Sequence, residues 1–112
     1  NYRGIGHQLG FELTEVEEGR VVFAATPTEA SYNPLGTVHG GYIATLLDSA
    51  VGCAVHTTLK PRFGYTTLEL KISYLRPLTS TTGRIEAEGR VVQTGRRAAF
   101  AEGKVVDAKG RV

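Results

Sequence analysis

The sequence predicts an α+β fold in which an antiparallel sheet is wrapped around, or laid against, one long helix. Three observations lead there. The stretch His39–Thr58 carries the only sustained helical periodicity, with Ile43, Leu47, Ala50, Val51, Ala54 and Thr58 on one stripe. Nearly everything on either side of it alternates apolar and polar residues, as strands do. Short groups of turn formers separate successive alternating stretches, which makes neighbouring strands antiparallel.

The elements follow in order. Residues 1–9 hold Gly4, Gly6 and His7 without a clear period and read as a loop or short helix. Gly10 to Val16 alternates as a half-buried strand, Glu17-Glu18-Gly19 turns, and Arg20 to Thr26 returns as a second strand that Pro27 ends. Residues 28–38 are rich in turn formers and lead into the helix. A helix of about 20 residues spans roughly 30 Å, enough to cross a small sheet. Beyond Lys60-Pro61-Arg62-Phe63-Gly64, strands are expected at Tyr65–Leu75, Arg84–Gln93 and Arg97–Asp107, forming a meander. Asp107-Ala108-Lys109-Gly110 is a further turn after which a strand ought to begin, so the chain is expected to stop short of its last strand.

Composition narrows the function classes. A length of 112 residues suits one domain, taken as 1–112, rather than two. The net charge of +2, with no basic run, argues against binding a nucleic acid polymer. Cys53 is the sole cysteine and cannot form an internal disulfide; a small, buried, apolar role suits it. No signal peptide and no apolar run of about 18 residues is present, which predicts a soluble, cytoplasmic protein with no membrane partner. The lack of an initiating Met suggests that the sequence begins inside a longer chain.

Two features of the helix are unusual for a purely structural element. Gly40 and Gly41 occupy its first turn, each costing about 1 kcal/mol of helix propensity relative to Ala. Asp48 interrupts an apolar run and shares a small-residue face with Gly41, Ala44, Thr45, Gly52 and Val55. It reads either as a solvated surface carboxylate or as a functional one. At the N-terminus, the Gly40 N–H could hold a developing oxyanion, with His39 and Asn33 beside it. Tight packing, a hydrogen-bonded imidazole and an Asx turn are the structural alternatives for these residues. Gly40 and Asp48 lie about 12 Å apart along the axis and about 80° around it, whereas catalytic groups must come within about 3 Å of their target. One helix cannot easily supply both, so the geometry predicts a dimer with two sites at its interface. His7, His39, His56 and Asp48 lack metal-ligand spacing, so no metal is expected. Arg96 and Arg97, with Lys60 and Arg62, are either phosphate ligands or solvated turn charges.

The run N-P-L-G-T-V-H-G-G-Y-I-A-T-L-L-D-S-A at 33–50 resembles the signature of hotdog-fold acyl-CoA thioesterases, of the PaaI-like phenylacetate-degradation branch. The segment Y-T-T-L-E-L-K-I-S-Y-L-R-P at 65–77 resembles the strand that follows the helix in that family. The resemblance implies a single hotdog domain without a cofactor, CoA being part of the substrate. It implies that Gly40 polarises the thioester carbonyl, assisted by Asn33, with His39 shaping the site and Gly41 contacting substrate. Asp48 of the partner subunit would activate water or attack directly, and Thr67 would help hold that water. Gly95, Arg96 and Arg97 would approach the CoA nucleotide. It further implies an acyl-CoA substrate, aryl or medium-chain, and a homodimer that pairs into a homotetramer. A hotdog dehydratase or hydratase, and a non-catalytic acyl-CoA binder, are the rival readings.

Overall fold

The computed structural model describes residues 4–112, so residues 1–3 of the expected N-terminal loop lie outside the described residues. The chain begins with a short helix, α1 (Ile5–Gln8), and a hairpin of β1 (Glu12–Glu17) and β2 (Arg20–Ala25). The hairpin turns through Glu18 and Gly19, whose φ of +80° suits a residue without a Cβ. A long helix, α2 (Gly40–His56), follows. Strands β3 (Ile85–Thr94) and β4 (Ala99–Asp107) complete a four-stranded antiparallel sheet in the order β1-β2-β3-β4.

Helix α2 lies across β2, β3 and β4. Its buried line is Tyr42, Ile43, Leu46, Ala50 and Ala54, and Leu46, Ala50 and Ala54 are fully inaccessible. Tyr42, Ile43, Leu46 and Ala50 pack with Ala25, Val38, Ile85 and Ala87 into one core cluster. The expected stripe is therefore rotated: Leu47 and Val51 are only half-buried. Two strand glycines cause this. Gly89 of β3 and Gly103 of β4 stand opposite each other in the ladder. A Cβ on Gly89 would overlap the Ala50 carbonyl, and one on Gly103 would come within 2.9 Å of Val51. The helix backbone thus rests on the sheet at Ala50, which points Leu46 and Ala54 down into the core with it. At its C-terminal end the Gly19 amide donates to the Thr57 hydroxyl (2.7 Å), tying the first hairpin to the helix.

Two expectations need correction. Strand β1 is exposed along its whole length rather than half-buried, because α2 does not reach past β2. Residues 65–75 join no ladder among the described residues, so the meander holds only for β3 and β4. Side chains pin that segment instead. Tyr65 lies against Gly52 of the helix, and Tyr74 against Gly40. Between them the Thr67 hydroxyl donates to the Asp48 carboxylate. No helix among the described residues is long and apolar enough to cross a membrane.

Candidate active site

The approach to the helix is built by residues 31–39. The Asn33 amide donates to the Thr37 carbonyl (2.8 Å), while Asn33 Oδ1 accepts from the amides of Leu35 (2.9 Å) and Thr37 (3.2 Å). Asn33 Nδ2 donates to the Thr37 hydroxyl (3.0 Å), leaving one N–H of that side chain without a partner among the described residues. The His39 amide donates to Ser31 and the Val38 amide to Leu78, which hold the loop against its surroundings. His39 is thereby delivered to the N-cap with extended backbone, φ −61° and ψ 134°.

There His39 Nδ1 accepts from the Gly41 amide at 2.7 Å. A neutral ring then carries its proton on Nε2. The His39 carbonyl takes the Tyr42 amide (3.0 Å). Among the described residues the Gly40 amide has no acceptor. It is a free donor where the aligned peptide dipoles place positive potential. Beside it Val38, Gly41, Tyr74, Pro77 and Leu78 line a recess of about 480 Å³.

Asp48 lies two turns further on, half-buried, with its Oδ1 accepting from Thr67 at 2.7 Å. It lines a groove of about 1540 Å³ that runs between β4 and residues 65–75. Leu47, Val51 and Val55 form an apolar wall of that groove next to the carboxylate and its threonine, while Lys71, Arg76, Glu102 and Lys104 add charge elsewhere in the lining. At one end lies the β3–β4 turn, closed by the Gly95 amide on the Ala98 carbonyl (2.8 Å). Arg96 and Arg97 project there, exposed and without an ion pair among the described residues.

The structure therefore joins Asp48 with Thr67, and His39 with Gly41. It keeps Asp48 and Gly40 in separate cavities of one chain. Burial pushes the Cys53 thiol up from its ordinary value, so it stays protonated at neutral pH and is no thiolate nucleophile. Burial likewise raises the Tyr65 hydroxyl. Among the described residues no group of three or more His, Cys, Asp or Glu is placed to hold a metal ion. Sequence reasoning missed Tyr65 and Tyr74. The available signal was two helix glycines, Gly40 and Gly52, each needing a large partner to explain its missing Cβ.

The profile of the Thioesterase superfamily matches residues 35–112, which include Gly40, Asp48 and Thr67. The chain belongs to the thioesterase superfamily. It is similar to a variant of the phenylacetic acid degradation protein PaaI from Thermus thermophilus, with a TM-score of 0.85 and 30% identity, covering 96% of this chain and 88% of that one. The sheet and helix are the hotdog arrangement of such PaaI-like proteins. A 1,4-dihydroxy-2-naphthoyl-CoA hydrolase of Listeria monocytogenes is 25% identical over 104 residues, 93% of this chain and 83% of the hydrolase. A protein assigned as an esterase in Halobacterium salinarum is 44% identical over 73 residues, 63% of this chain. The chain spans about half the length of that relative and of a similar Caenorhabditis elegans protein, 46% and 51%.

Proposed function

We propose that this chain is an acyl-CoA thioesterase whose active sites form between two copies of α2. The observation that carries the reading is the Asp48 carboxylate, held by Thr67 beside the apolar wall of Leu47, Val51 and Val55. The superfamily membership and the CoA-thioester hydrolase among the relatives support it. The thioester carbonyl oxygen would sit on the Gly40 amide of one protomer, with the last free N–H of Asn33 assisting and His39 fixing the turn. Asp48 would come from the other protomer.

The chemistry needs no further group. Asp48 draws a proton from a water that attacks the carbonyl carbon, or attacks that carbon itself to give an anhydride that water opens. Either route places negative charge on the carbonyl oxygen, which the Gly40 amide stabilises. The C–S bond then breaks and its electron pair leaves with the CoA thiolate. Leu47, Val51, Val55 and Phe63 would receive an aryl or medium-length acyl group. Gly41 would border the carbonyl, and Gly95, Arg96 and Arg97 would meet the CoA phosphates. The working unit would be a homodimer, pairing further into a homotetramer in the cytoplasm.

Thiol release across a panel of aryl-, medium- and long-chain acyl-CoAs tests the reading. Asp48→Asn is expected to slow release by about 10²- to 10⁴-fold, the usual contribution of a positioned acid or base. Near-normal release by Asp48→Asn would exclude a catalytic carboxylate there. Binding without release by the native chain would make it an acyl-CoA binder, and enoyl absorbance changes without thiol would make it a hydratase.

A further inference from the structure

Gly40 is the residue on which the oxyanion reading depends, and it is the least constrained residue type at a helix start. Its own carbonyl, however, accepts a hydrogen bond from the Tyr74 hydroxyl at 2.8 Å. The Tyr74 ring closes over the same residue: a Cβ on Gly40 would meet its Cζ and hydroxyl at 3.3 Å. Gly40 has no positive φ to explain the absence of a side chain. The close approach of Tyr74 explains it instead. Tyr74 is 56% exposed, so its position is not dictated by core burial. It also lines both the recess beside Gly40 and the groove containing Asp48.

We infer that Tyr74 is a positioning residue for the reaction, tethering the Gly40 carbonyl so that the preceding amide stays aimed at the thioester oxygen. This rests on the thioesterase reading above. The tether matters because the two peptide units flanking Gly40 turn about its φ and ψ. Fixing the carbonyl of one restricts the direction of the N–H of the other. The same segment carries Thr67, so one unladdered stretch sets both the carboxylate and the amide donor.

Tyr74→Phe keeps the ring over Gly40 and removes only the hydroxyl. It is expected to lower kcat about tenfold, the effect of one lost hydrogen bond in the transition state, with KM unchanged. Amide hydrogen exchange at Gly41, in the tethered peptide unit, is expected to quicken, while exchange along β3 stays as in the native chain. A kcat equal to the native value, with Gly41 exchange quickened, would overturn the positioning role while leaving the thioesterase reading intact. Unchanged Gly41 exchange would overturn the tether whatever the rate does. A native chain that releases no thiol from any acyl-CoA would overturn the thioesterase reading and the catalytic role of Tyr74 with it, and Gly41 exchange would still decide the tether.

Discussion

The two long sides of α2 are built by opposite rules. On the sheet side the glycines belong to the strands, Gly89 and Gly103, and the helix brings its backbone down onto them. On the other side the glycines belong to the helix, Gly40 and Gly52, and tyrosines from residues 65–75 rest on them. The first contact is closed, apolar and ladder-supported. The second is open, held by single side chains, and leaves Asp48 and the Gly40 amide available. Close packing stabilises one side, while the other sets a carboxylate and a helix-start amide beside open cavities.

That contrast breaks if stability and activity respond alike on both sides. Leu46→Ala, at a fully buried position on the sheet side, is expected to cost about 2–5 kcal/mol by urea unfolding. Asp48→Asn, on the open side, is expected to change stability by less than about 1 kcal/mol while removing thiol release. A loss of stability in Asp48→Asn as large as in Leu46→Ala would make Asp48 a structural residue.

A smaller effect concerns the sheet's outer surface. Glu88 of β3 is held below its ordinary value of 4.5, first by its hydrogen bond from Arg20 and then by Arg90. In the unfolded chain Glu88 takes up its proton near that ordinary value, whereas in the fold it stays charged to lower pH. Its contribution is therefore complete above 4.5 and fades as pH falls through the folded value. Glu88→Gln is expected to flatten the acid limb of stability below about pH 4.5. An acid limb as steep as the native one would assign that dependence to other carboxylates.

The sheet side was largely legible in the sequence because its partners are local. β1 and β2 alternate around a Gly turn, and β3 and β4 do the same around Gly95, so periodicity alone finds them. The helix expected over His39–Thr58 is found as Gly40–His56, one residue shorter at its start, where His39 is the cap, and two shorter at its end. What periodicity could not find is the rotation of the helix stripe, which Gly89 and Gly103 impose from distant strands. Residues 65–75 misled for a related reason. Their alternation suits a strand, yet among the described residues nothing pairs with it, and Tyr65, Thr67 and Tyr74 anchor it through side chains. Asn33 combines both lessons: its turn chemistry was visible locally, whereas the role of its remaining N–H depends on what approaches Gly40.

If one chain supplies Asp48 and another supplies the Gly40 amide, subunit complementation must restore activity. Gly40→Pro removes that N–H at a first-turn position where proline is tolerated, behind a His39 whose extended backbone suits a following proline, provided the exposed Tyr74 ring gives by a few tenths of an ångström to admit the new Cβ. Gly40→Pro and Asp48→Asn are each expected to be inactive alone. Co-refolded in equal amounts, they should regain about a quarter of native thiol release, because random pairing gives mixed dimers that each hold one intact site. No recovery, with mixed dimers demonstrated, would place both groups in one chain and contradict the account.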